Sequence, residues 1–184
     1  MSQGKPSDAD LQDFQPIDPW ESEDLLFTRR NLPHLEVPGA TYFVTFGCCS
    51  KIVLAPEARA LVMAVIQACD RKSIELDAAV VMPDHAHAIF RPIGSYKLSQ
   101  VLQRIKGRSA RQVNQVFKRT GAFWIDESFD HIIRNEAELQ EKIEYIRQNP
   151  VKPGLINPQA KACATSYRWL YVRSSAGLEP NPNG

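Results

Sequence analysis

The apolar positions of this chain switch repeatedly between a period of two and a period near 3.6, and each switch marks an element boundary. Thr41-Tyr-Phe-Val-Thr-Phe46 is β-branched and aromatic, the composition of a strand. Pro56 suits the first turn of a helix, with Leu61, Val62, Val65, Ile66 and Cys69 as its buried stripe. Leu76 to Met82 is a short apolar strand. Pro83-Asp84 turns it, and His85 to Phe90 returns beside it as a hairpin. Leu98, Val101, Leu102 and Ile105, then Val113, Val116 and Phe117, trace a long amphipathic helix ending near Gly121. Ser128 to Arg134 reads as a fourth strand. Asn135 caps a last helix, with Glu138 three residues on in capping-box position. The order β-α-β-β-α-β-α predicts an α+β, ferredoxin-like sandwich: an antiparallel sheet with helices on one face.

Both ends fall outside this pattern. Residues 1–28 are polar, acidic and punctuated by Pro6, Pro16 and Pro19, and are expected to be a disordered tail. Residues 174–184 read the same way, leaving one domain over residues 29–173, a size that supports a single core. No apolar stretch approaches membrane-spanning length, and the N-terminus shows no secretory signal. Cys48, Cys49, Cys69 and Cys163 lack Cys-x-x-Cys spacing, so free thiols in a reducing cytoplasm are expected.

The net charge of +1 hides an asymmetry. Residues 1–28 hold seven acids and one base, Lys5, whereas His85 through Ile125 contains no carboxylate and eight bases. A long stretch of one sign is the electrostatic footprint of a protein that binds a polyanion; a solvated helix face usually mixes both signs.

The chemistry starts at Met82-Pro83-Asp84-His85-Ala86-His87. On a strand, residues i and i+2 share a face, so His85 and His87 would project side by side. Two adjacent imidazoles can share one metal ion, although buried strands also carry histidines hydrogen-bonded for structural reasons. On the last helix, at about 100° per residue, Leu139, Ile143 and Ile146 form the core stripe, and Tyr145 falls on the opposite flank. Asn149 lies beside Tyr145 one turn later. A surface tyrosine packed on a neighbouring loop is the simple reading. The chemical one is a nucleophile, since a phenol with a pKa near 10 becomes useful when a metal polarises the phosphodiester it attacks. With Asn149 as a third ligand, the mixed nitrogen and oxygen set suits Mg²⁺ or Mn²⁺, and Zn²⁺ is compatible by ligand type.

Four stretches carry a family resemblance: Asn31-Leu-Pro-His34 with Pro38-Gly-Ala-Thr-Tyr-Phe-Val-Thr-Phe46; Val80-Val-Met-Pro-Asp-His-Ala-His87; Trp124 with Glu127-Ser-Phe-Asp-His-Ile-Ile-Arg134; and Lys142-Ile-Glu-Tyr-Ile-Arg-Gln-Asn-Pro-Val-Lys-Pro-Gly-Leu155. Together, over residues 29–172, they resemble the single-tyrosine HUH transposases, and among these the REP-associated tyrosine transposases of bacteria. The resemblance implies that His85 and His87 are metal ligands, that Tyr145 is the nucleophile and that Asn149 adds a polar ligand. Asp84 stands where the family often has asparagine, and Ala86 is smaller than the usual middle residue. The implied activity is cleavage and rejoining of single-stranded DNA at palindromic hairpins through a 5′-phosphotyrosine link, with no external energy source. Arg104, Lys106, Arg108 and Arg111 would contact the hairpin backbone, and Arg29, Arg30 and His34 would read its foot. Phe123, Trp124 and Phe129 are candidates for stacking on bases, with core packing the expected role for at least two. A cytoplasmic, nucleoid-associated monomer or homodimer is implied. The rival classes are a domesticated hairpin-binding protein without catalysis and a metal-dependent hydrolase without a covalent step.

Overall fold

The computed structural model describes residues 26–29, 33–49, 52–151 and 167–173. Its strands are β1 (Leu26–Arg29), β2 (Pro33–Glu36), β3 (Tyr42–Gly47), β4 (Ile74–Val81), β5 (His85–Pro92), β6 (Phe129–Ile132) and β7 (Leu170–Val172). Its helices are α1 (Pro56–Gln67), α2 (Leu98–Val116) and α3 (Glu136–Gln148). Five strands form one sheet in the order β6-β3-β5-β4-β7, every pair antiparallel, and β1-β2 form a separate hairpin. The expected α+β class and antiparallel sheet are therefore present. β7 is an additional edge strand, too short at three residues for a periodic signal. The boundary of the acidic tail moves as well: Leu26, Phe27 and Thr28 pair with Glu36, Leu35 and His34, so the fold begins inside the stretch assigned to the tail by charge.

Strand alternation divides the sheet into two faces. Tyr42, Val44 and Phe46 of β3, Leu76, Ala79 and Val81 of β4, and Ala86, Ala88 and Phe90 of β5 are buried under Val62 and Ile66 of α1 and Val101 and Ile105 of α2. A bulge between Leu76 and Ala78 resets the alternation of β4, so residues three apart share that face. On the other face, Phe43, Ala78, Val80 and Ile89 are covered by Leu139 and Ile146 of α3. The expectation that the helices share one face thus fails for α3. The reason lies in the central strands. Ala78, Ala79, Val80 and Val81 are all fully buried, so β4 is apolar on both sides and needs cover on both.

Helix ends follow local chemistry. The Asn135 side chain accepts from the Glu138 N–H at 2.9 Å, while Glu138 Oε2 reaches back to the Arg134 N–H at 2.8 Å, one residue beyond an ideal capping box. α2 stops a turn before Gly121, where Lys118 takes a left-handed backbone (φ 50°). Cys48 and Cys69 are buried free thiols and Cys49 is half-buried; Cys163 lies outside the described residues. Among the described residues no helix is long and apolar enough to cross a membrane.

Candidate active site

The β4–β5 turn at Pro83-Asp84 is closed by the Met82 N–H on the His85 carbonyl at 2.8 Å. From it β5 runs through the middle of the sheet and sends His85 and His87 to the α3 side, with ring centroids 4.7 Å apart. His87 is buried and His85 half-buried. Each Nδ1 is held by an oxygen: Asp84 Oδ1 lies 2.6 Å from His85, and Thr45 Oγ1 of neighbouring β3 lies 2.7 Å from His87. An ionised carboxylate only accepts, so in this pairing His85 Nδ1 is the donor. Thr45 does the same for His87 when its hydroxyl accepts. An oxygen behind each imidazole is the usual arrangement of metal-binding histidines.

α3 delivers Tyr145 to this pair. Its ring meets His87 edge-on at 5.4 Å, and Phe43 stacks on His87 at 5.3 Å while touching Tyr145 edge-on at 5.8 Å. Tyr145 is 39% exposed. Two other tyrosines are committed elsewhere. Tyr42 is buried, which pushes its pKa up to about 12, and its hydroxyl bridges the N–H and carbonyl of Val37. The Tyr167 hydroxyl accepts from Arg59 at 2.9 Å and donates to the Val81 carbonyl at 3.0 Å.

Asn149 is the C-cap of α3, one turn beyond Tyr145, and its side chain is buried. Among the described residues no group of three His, Cys, Asp or Glu gathers to hold a cation. His85 and His87 could together hold a divalent cation, with positions left open for substrate and water oxygens.

The expected DNA-contacting residues separate. Arg104, Arg108 and Arg111 line one open groove along the outside of α2, with Tyr96 and Gln100. Lys106 instead turns to the loop before β6, where its amine donates to the Asp126 carbonyl at 2.6 Å and to Ser128 Oγ at 3.1 Å. Arg29 and His34 belong to the β1–β2 hairpin, with side chains outside the described residues, as is the whole of Arg30. Phe123 and Trp124 are core residues, whereas Phe129 is 55% exposed on edge strand β6 and pairs directly with Thr45. Directly opposed residues share a face, so Phe129 stands on the histidine side of the sheet. Thr45 and Phe43 escape sequence reasoning, because nothing in a strand pattern says which strand will neighbour the histidines.

The family model described as "Transposase IS200 like" matches residues 47–149, more than half of the chain. A REP-associated tyrosine transposase of Escherichia coli (strain K12) is 28% identical over 123 residues, covering 65% of this chain and 72% of that protein. A Haemophilus influenzae protein placed provisionally in the same group is 26% identical over 100 residues, and the match spans only 57% of its length and 49% of this chain. Among solved structures, a REP-associated tyrosine transposase bound to a REP hairpin superposes with a TM-score of 0.62 at 23% identity, covering 77% of this chain and 82% of that one. At that identity the likeness speaks for the fold.

Proposed function

This chain belongs to the IS200-like transposase family, and on that premise we propose that it cuts and rejoins single-stranded DNA at REP-type palindromic hairpins, with Tyr145 as the nucleophile. The observation that carries this reading is the contact between Tyr145 and His87, brought together from a helix and a strand far apart in sequence. Tyr145 oxygen would form a bond to the scissile phosphorus as the bond to the 3′ oxygen breaks, leaving a 5′-phosphotyrosine and a free 3′-hydroxyl. Attack by a second 3′-hydroxyl on that link reverses the step and conserves its energy. Phe43 and the last turns of α3 keep the phenol beside the imidazoles.

His85 and His87 would hold Mg²⁺ or Mn²⁺, with the Asn149 side-chain oxygen as a third protein ligand. When bound, such an ion polarises the phosphodiester and offsets the charge that develops on it. Asp84 and Thr45 hold the two rings by their Nδ1 atoms, so no reorientation is needed when the cation arrives.

The test is direct. Incubation with a labelled single-stranded REP hairpin and Mn²⁺ should yield a protein–DNA adduct on a denaturing gel. Tyr145→Phe should abolish it while leaving hairpin affinity within about twofold, because only the hydroxyl is lost and the ring still packs. Binding without any adduct from the unmodified protein would leave a non-catalytic hairpin-binding protein in its place.

A further inference from the structure

Beside the histidine pair, the sheet edge leaves two large apolar side chains in solvent: Ile125 is 49% exposed and Phe129 55%. We infer that Phe129, backed by Ile125, is the stacking surface for the base that flanks the scissile phosphate. The inference rests on the proposed function and adds to it the residue that receives one unpaired base.

β6 is an edge strand, and Phe129, Thr45 and His87 are direct partners across β6, β3 and β5. They form one row on the α3 side of the sheet, a row that includes the imidazole touching Tyr145. Two strand spacings of about 4.8 Å put the Phe129 backbone roughly 10 Å from that of His87, within the span of one nucleotide. The next row on the same face sets Gly47 opposite His85. Ile125 joins it: its N–H donates to the Gly47 carbonyl at 2.9 Å, and its Cδ1 lies 3.6 Å from where a Gly47 Cβ would stand. Between the edge and the histidines β3 therefore presents only Thr45 and a bare glycine, low ground between an apolar rim and the imidazoles.

The rim is held in place by α2. Lys106 donates to the Asp126 carbonyl at 2.6 Å and to Ser128 Oγ at 3.1 Å, which ties down the loop joining Ile125 to Phe129. Phe123 and Trp124, the other aromatics of this stretch, are buried and pack edge-on against each other. Among the described residues the Phe129 ring meets no other aromatic ring. Covering an exposed apolar ring is favourable, and every base offers a π face that can do it. The rim is only two side chains wide and borders the phenol that would attack the phosphate, which suits a nucleobase better than a second protein surface.

Affinity is measured on the full chain carrying Tyr145→Phe, which lacks the nucleophilic hydroxyl, with single-stranded REP hairpins whose flanking nucleotides are made abasic one at a time. The cut is mapped separately from the adduct of the unmodified protein. An abasic site next to the cut should weaken binding about 5- to 150-fold. Phe129→Ala should lose as much on the intact hairpin. Both changes together should lose no more than either alone, within about twofold. Phe129→Tyr should keep full affinity and Phe129→Leu should not, because leucine has bulk without a π face. Undiminished binding by Phe129→Ala, additive losses, or coupling to a base away from the cut would each overturn the inference. So would a Phe129-dependent change of mass in light scattering, which would make the rim a contact between two copies of the chain. An adduct without coupling sinks the inference and leaves the proposed function standing. Coupling in a protein that forms no adduct supports the base subsite and removes the chemistry.

Discussion

From β5, Ala86, Ala88 and Phe90 point into the layer beneath α1 and α2, whereas His85, His87 and Ile89 point toward α3. The first layer is continuous and apolar, with Tyr42, Phe46 and Trp124 filling it. The second is smaller, covered by one helix, and gives way to imidazoles, a threonine and an exposed phenol at one end. The strands buried on the closed face carry the two imidazoles toward Tyr145 on the open one. The arginine row lies on the outer surface of α2, across the sheet from Tyr145. A nucleic acid that touched both would have to pass around the edge of the sheet.

Substitutions on the two faces should therefore have different signatures. The largest contrast is between His87→Ala and Leu76→Ala. His87→Ala, like His85→Ala or EDTA, should take hairpin cleavage to background while the protein stays folded, as adduct assays and circular dichroism would show. Leu76 is fully buried on the closed face. Its truncation should cost about 2–5 kcal/mol of stability, read by denaturant unfolding, with metal dependence unchanged in the folded fraction. Cleavage by His87→Ala at the unmodified rate would erase the distinction.

Thr45→Val sharpens the comparison at a single atom pair. The substitution preserves shape but removes the oxygen 2.7 Å from His87 Nδ1. Apparent metal affinity, from a Mn²⁺ titration of cleavage, should fall about 10- to 100-fold, with little change in hairpin affinity.

The smallest effect belongs to the bulge in β4. Burial raises the Asp77 carboxyl to about 6, with the nearby Arg173 cation opposing the shift. In the unfolded chain the carboxyl returns to the ordinary range near 4, so between these values the folded state binds more protons. Stability from this group is therefore full below about pH 4 and is lost as pH rises through about 6. Asp77→Asn should flatten the decline of Tm between pH 4 and 6.5 and raise Tm at pH 7.5 by about 2–4 °C. A decline as steep as that of the unmodified protein would locate the titration elsewhere.

Local pattern was enough for much of this. The switch from strand to helix period identified the four longest sheet strands and the three helices, and the Asn135 cap was legible because capping is a contact between neighbours in sequence. The proximity of His85 and His87 was legible for the same reason, since i and i+2 share a face of any strand. β7 and the β1–β2 hairpin were not, because three or four residues hold too few positions to show a period. A basic run also leaves direction open: Lys106 shares one with Arg104 and Arg108, yet its place on the helix brings its amine to the loop before β6.

By itself, then, the order of residues determined what each of the longer elements is, which side of α3 carries Tyr145, and the segregation of acidic from basic charge along the chain. Only the tertiary structure decided that α3 crosses to the face opposite α1 and α2, that β3 neighbours β5, and hence that Tyr145, Phe43 and Thr45 all meet His87. A stripe of leucine and isoleucine says that a helix must be covered, and the energy of covering it is nearly indifferent to which apolar face it finds. The choice is made by the competition of all the elements for two faces at once, and no single stretch of sequence contains it.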